Sequence, residues 1–211
     1  MIDEVMFIEN LLDGAQTLNI ELQRPSAEKL FLYYRELERW NRQINLVSRK
    51  QPDWVRVHFL DSLVPLGMGL VDGEERVVDL GAGAGFPGLP LKIVMPEITL
   101  GMAEGSGKKC AFLRHVVRTL GLRSAEVLEG RFEDLLNEGW NKSFDLAVSR
   151  AAAKPGRIVS ASARFLGSGG RTLIYTTPDL TEKGVGRVHP YRIPGSKVQW
   201  CIWEVPVEEM S

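Results

Sequence analysis

The residues best suited to hold a small molecule form one run, Val77-Val78-Asp79-Leu80-Gly81-Ala82-Gly83-Ala84-Gly85-Phe86-Pro87-Gly88. A short β-branched stretch, Arg76–Leu80, opens directly into alternating glycines. Glycine takes up positive φ at little cost and lets a ligand approach the main chain. In an open α/β sheet, such a strand–loop–helix junction presents its ligand at the carboxyl ends of the strands. Asp79, Gly81, Gly83 and Gly85 are therefore the first candidate binding residues. Glu104 is the second element of the constellation. It follows Gly85 by 19 residues and closes the next strand-like run. A carboxylate at that distance accepts hydrogen bonds from two ribose hydroxyls. The same chemistry serves the ribose of NAD and that of S-adenosylmethionine.

The stretch Gly83-Ala84-Gly85-Phe86-Pro87-Gly88 is a literal dinucleotide fingerprint. Two features weigh against that reading. Gly83 lies two residues beyond Gly81, whereas the fingerprint's first glycine follows the strand directly. Pro87 also removes a backbone N–H that a pyrophosphate would use. A P-loop at Gly105-Ser106-Gly107-Lys108-Lys109 fails too. Met102 stands where its first glycine belongs, and Lys109 replaces the Ser/Thr that would hold magnesium. Lys108 instead begins a helix, with its amine available to the pocket or to an RNA phosphate.

Strands and helices must alternate to position these groups. Residues 4–12, 26–42 and 54–66 carry three- and four-residue apolar spacing, so the first ~70 residues read as helical. From Gly73 the pattern changes. Strand-like runs at 76–80, 98–103, 125–128, 144–149 and 171–175 are separated by helical ones at 89–95, 108–120 and 155–165. That alternation predicts a mostly parallel sheet covered on both faces. The runs 188–193 and 198–205 have no helix between them and predict a closing antiparallel hairpin. The expected organisation is a helical cap over residues 1–72 on a core over 73–211.

The chain has 211 residues and a formal net charge of −1, so overall charge does not select nucleic acid. Residues 1–40 hold 4 Lys/Arg against 8 Asp/Glu, leaving 22 against 19 in the remainder. A nucleic-acid partner thus needs a local basic patch. Cys110 and Cys201 lack metal-ligand spacing, and no zinc or other metal site is expected. Asp3 and Glu4 stand where a signal peptide would be basic, and no apolar stretch reaches ~18 residues. A soluble, cytoplasmic protein without a membrane partner is expected, with a monomer as the default.

Four blocks resemble the bacterial 16S rRNA guanine-N7 methyltransferases, the RsmG or GidB family. They are Trp40-Asn41-Arg42 with Ile44-Asn45-Leu46, Val57-His58-Phe59-Leu60-Asp61-Ser62, the glycine loop through Pro90, and Phe144-Asp145-Leu146-Ala147-Val148-Ser149-Arg150-Ala151. Gly107-Lys108-Lys109 with Phe112-Leu113, and Arg131-Phe132-Glu133, also fit. The resemblance implies a class I S-adenosylmethionine-dependent methyltransferase, Rossmann-like, with a seven-stranded sheet and an antiparallel last strand. It implies S-adenosyl-L-methionine as cofactor and a guanine of the 530 loop of 16S rRNA, in the 30S subunit, as substrate. Carried over by position, Gly81 and Phe86 lie against the methionine and ribose, and Phe132 and Glu133 flank the adenine. Arg150 sits where cofactor and target base meet and is the catalytic candidate. Where the family usually has Asp-Ser this chain has Glu104-Gly105, which keeps the carboxylate. Where the family usually has Lys-Gly after the fifth strand, Thr176-Thr177 stands instead.

Guanine N7 carries a free lone pair, so attack on a sulfonium methyl needs no general base. Orientation is then the main lever, worth up to ~7–11 kcal/mol. The arginine fork of Arg150 suits guanine O6 or a phosphate. His58 and Asp61, three apart on one helix face, would brace the cap against the glycine loop. Arg131 and Lys108 are candidate phosphate contacts. Arg49 and Arg56, with Arg42, Lys50 and Lys92, would form a basic rim for RNA.

Overall fold

A computed structural model describes residues 2–50, 53–135, 140–150 and 153–210, with the side chains of Phe132 and Glu133 outside that description. The described N-terminal part is helical: α1 (Glu4–Thr17), α2 (Arg24–Asn41), a π-helical turn Val55–Leu60 and α3 (Asp61–Gly67). Asp3 caps α1 by accepting the Met6 N–H at 2.9 Å. Asn41 ends α2 and holds the loop that follows. Its Oδ1 accepts the N–H groups of Leu46 and Val47, and its Nδ2 donates to the Val47 carbonyl.

The sheet has seven strands: β1 (Arg76–Leu80), β2 (Thr99–Glu104), β3 (Ala125–Glu129), β4 (Phe144–Arg150), β5 (Leu166–Thr176), β6 (Arg187–Tyr191) and β7 (Trp200–Pro206). Helices α4 (Gly88–Val94), α5 (Gly107–Thr119), α6 (Phe132–Leu135) and α7 (Pro155–Phe165) fall in the connections. The strand order is β3-β2-β1-β4-β5-β7-β6. The first five strands are parallel, and β7 runs antiparallel to both β5 and β6. Strand order therefore reverses between β1 and β4, where a doubly wound sheet opens a crevice at its carboxyl edge.

Alternation along the strands separates two cores. Val77, Leu146, Leu173 and Ile202 face the N-terminal helices, where they join Phe7, Leu30, Tyr33 and Phe59. Their neighbours Val78, Ala147, Ile174 and Trp203 face the other way, onto Ile158 and Phe165 of α7. One apolar cluster thus runs from α1 and α2 onto the sheet. Phe7 stacks edge-on to Phe59 at 5.2 Å, and Tyr33 lies 5.3 Å from Phe86 at the glycine loop.

Two local expectations change. The helix expected over 54–66 starts as a wider π-helical turn before α3. Such turns occur frequently at functional sites, and the Val57 carbonyl in this one accepts from Arg150. The strand expected over 171–175 begins earlier, so that the Gly-rich segment before Arg171 belongs to β5. The β4–β5 register shifts between Phe144 and Leu146, an irregularity the adjoining glycines accommodate.

Candidate functional site

The glycine loop is shaped by its backbone. Gly81, Gly83 and Gly85 take φ of +77°, +60° and +94°. Gly81 and Ala82 both donate N–H to the Ala103 carbonyl, folding the loop over the end of β2. Glu104, at that end, is buried and accepts from both sides. Its Oε2 takes the Gly83 N–H at 2.9 Å and its Oε1 takes the Ser106 N–H at 2.8 Å. A carboxylate oxygen has two acceptor sites, so one on each oxygen stays available to a ligand. A Cβ on Gly83 would meet only the Gly81 carbonyl oxygen, at 3.7 Å, so open space lies beside this residue.

Gly85 and Asp79 have different duties from those expected. A Cβ on Gly85 would come within 2.3 Å of Leu89 Cδ1 and 3.0 Å of the Tyr33 hydroxyl. Gly85 therefore lets α2 and α4 close on the loop and does not line the cavity. The Tyr33 hydroxyl donates to the neighbouring Ala84 carbonyl. Asp79 is fully buried beneath the loop, also off the cavity wall, because strand alternation points it toward α4. Its Oδ2 accepts the Gly88 N–H at 2.9 Å, and its Oδ1 has no partner among the described residues. Burial lifts its carboxyl to about 7, while the Gly88 N–H and Arg150 pull the other way.

Arg150 ends β4 and faces the loop across the reversal point. Its Nη1 donates to the Val57 carbonyl and to Asp61 Oδ2, each at 2.9 Å. Its Nη2 lies 3.3 Å from His58 Nδ1, and its guanidinium carbon sits 5.1 Å above the Phe86 ring. Among the described residues three of its five N–H groups are thereby engaged and two have no acceptor. His58 stacks on Phe86 at 5.2 Å and 22°. Desolvation, with Arg150 beside it, pushes the His58 imidazole down to about 3, so it is neutral near pH 7. Asp61 also accepts the Tyr191 hydroxyl at 2.6 Å. One carboxylate thus joins the π-helical turn, β4 and the end of β6.

These groups border a cavity of about 1390 Å³. Gly81, Gly83, Phe86, Glu104, Arg131 and Arg150 all line it, as does Arg56. The other residues expected at the site fall elsewhere. Lys92 is buried, and its amine donates to the carbonyls of Pro96 and Ile98. It closes the end of α4 and cannot belong to a basic rim. Lys108 is exposed but off the cavity, and its neighbour Lys109 takes that place. The Arg49 guanidinium binds the carbonyls of Asn41 and Arg42 at the end of α2. The side chains of Phe132 and Glu133 lie outside the described residues. Arg157, Tyr175, Tyr191 and Trp200 also border the cavity, and no local motif marks any of them.

The strand order, the glycine loop at its reversal and the carboxylate closing β2 define the class I S-adenosylmethionine-dependent methyltransferase fold. Solved structures agree on the fold. M. jannaschii TYW2, solved in complex with AdoMet, superposes with a TM-score of 0.52 at 13% identity, over 65% of this chain and 69% of that one. A predicted O-methyltransferase from Agrobacterium tumefaciens gives 0.53 at 20% identity, over 70% and 79%. The profile of the family described as rRNA small subunit methyltransferase G, GidB, matches residues 26–184. The ribosomal RNA small subunit methyltransferase G of Caldanaerobacter subterraneus is 38% identical over 83% of this chain and 74% of its own. That of Dictyoglomus thermophilum is 35% identical over the same shares. The chain belongs to this rRNA methyltransferase family.

Proposed function

We propose that the protein moves the methyl group of S-adenosylmethionine to N7 of a guanine in the 530 loop of 16S rRNA, carried in the 30S subunit. The observation carrying this reading is that the glycine wall, Glu104 and Arg150 meet in one cavity at the sheet's reversal point. S-adenosylmethionine supplies an electrophilic methyl on a positively charged sulfur. The residues present fit it: Gly81 and Gly83 leave a wall without side chains, and Glu104 keeps acceptor capacity for ribose hydroxyls. An N7–CH3 bond forms, the S–CH3 bond breaks, and S-adenosylhomocysteine leaves. No proton is transferred, so no base is required, and a neutral, stacked His58 is compatible with that economy. Phe86 packs against both Arg150 and His58, which themselves touch, and this fixes the loop that orients the reacting atoms. The free N–H groups of Arg150 suit guanine O6 or a phosphate. Residues 1–72 act as a cap that carries the π-helical turn to Arg150, and residues 73–211 as the methyltransferase core.

The test is tritium transfer from methyl-labelled cofactor to 16S rRNA and to 30S subunits lacking N7 methylation. Label in one 530-loop guanine is expected, with at least a hundredfold lower rate for Arg150→Ala. Label elsewhere, or none on either substrate, overturns the reading. Calorimetry with S-adenosylhomocysteine and with NADH separates it from dinucleotide chemistry, because only the first should bind.

A further inference from the structure

The cavity is larger than the roughly 300–1,000 Å³ of a typical small-molecule pocket. Its second end is built largely by residues beyond 184, where the match to the family profile stops. Chain direction explains how they reach it. Because β7 runs antiparallel to β5, its first residue lies at the carboxyl edge of the parallel strands. Cys201 pairs with Thr176 at the end of β5, and Trp200 pairs with Tyr191 at the end of β6. Trp200 thus stands on the same edge as the glycine loop.

The two tryptophans of β7 have opposite fates. Trp203 is fully buried and donates its Nε1–H to the Val185 carbonyl at 2.8 Å. Trp200 is 37% exposed and lines the cavity. Val198 at 47% and Leu180 at 54% exposure border the same space. Arg56 lies at the turn joining β6 to β7, where a Cβ on Gly195 would come within 3.0 Å of its Nη1. Lys109, Arg131 and Arg157 are cations on the same cavity. An open indole on a cavity that Arg56 and further cations also line matches an unpaired nucleotide. The base stacks on the ring and the phosphate meets the cation. Asp53 pairs with Arg56 at 3.5 Å, and an apolar peptide would leave Lys109, Arg131 and Arg157, which have no ion-pair partner among the described residues, unanswered.

We propose that Trp200, on the cavity that Val198 and Arg56 also line, is a stacking platform for an unpaired base of the rRNA substrate. This rests on the reading that the glycine end takes the cofactor and RNA enters opposite it. The experiment compares wild type, Trp200→Ala and Trp200→Phe in methyl transfer to 30S subunits lacking the modification, with S-adenosylhomocysteine affinity measured beside it. Trp200→Ala should raise KM for the RNA substrate about tenfold or more. Trp200→Phe should recover most of that loss, and cofactor-product affinity should stay within about twofold in both. Unchanged kcat/KM in Trp200→Ala overturns the proposal. So does equal impairment of both variants with loss of S-adenosylhomocysteine binding, which marks a structural role. A second readout needs no turnover, so it separates this proposal from the methylation reading. Quenching of tryptophan fluorescence by a single-stranded RNA oligonucleotide should shrink in Trp200→Phe while binding persists. Equal quenching in the two proteins overturns stacking even if methylation is confirmed.

Discussion

Asp79 shows how one residue's position sets its chemistry. The same carboxylate that reads as a ligand contact in sequence is buried beneath the loop, holding the first amide of α4. Burial moves its carboxyl from 3.8 to about 7. The folded state therefore binds more protons than the unfolded chain between those values. This group's contribution to stability is full below about pH 4 and is lost as pH rises through about 7. Asp79→Asn keeps an acceptor for Gly88 and removes the titration. In urea unfolding, the variant should gain on wild type as pH rises through that window, by about 1.4 kcal/mol per pH unit at most. A gap that stays constant with pH would refute this. His58 shifts oppositely: lowered to about 3, it favours folding above its unfolded value of 6.5 and ceases to help as pH falls toward 3.

The glycine loop divides by element rather than by motif. Gly83 and Gly85 both hold positive φ, so alanine at either costs about 1–2 kcal/mol of backbone strain. Only at Gly85 would the new methyl also strike Leu89 and the Tyr33 hydroxyl. Gly85→Ala should therefore lower stability by about 2 kcal/mol or more beyond Gly83→Ala, because overpacking adds to strain. Gly83→Ala should instead weaken S-adenosylhomocysteine binding while the fold persists. Denaturant melts and calorimetry on the two variants check both halves. Equal stability losses would mean the loop relaxes away from α4. The π-helical turn works at the same scale. Its Val57 carbonyl and His58, with Asp61 at the start of α3, form the bracket that holds Arg150.

For the molecule as a whole, the question is how a chain of net charge −1 binds RNA. The answer lies in placement. Arg56, Lys109, Arg131 and Arg157 converge on one cavity although they come from separate stretches of sequence. Charge reversal at Lys109 and Arg131 should weaken RNA binding, and each should reduce the slope of log affinity against log salt by roughly one. Lys92→Met should leave that slope unchanged, since its amine is spent on the carbonyls of Pro96 and Ile98. Filter binding across a salt series distinguishes these outcomes. No described helix is long and apolar enough to cross a membrane.

The strands, the glycine loop, Glu104 and the antiparallel close were legible in the sequence, because each rests on local chemistry: period-two alternation, backbone freedom at glycine, a carboxylate at a fixed remove. The family motifs His58–Ser62 and Ser149-Arg150 were equally plain. What the sequence could not decide was which way a side chain faces once elements pack. One step of helix phase exchanged Lys108 for Lys109, burial took Lys92 out of the solvent, and alternation in β1 turned Asp79 away from the cavity. Trp200 and Tyr191 reach the site through the reversed direction of β7 and the pairing of β6 with it, and such long-range pairing leaves no mark on neighbouring residues. Local pattern determined the elements and their chemistry. Tertiary packing decided which of those side chains share one cavity.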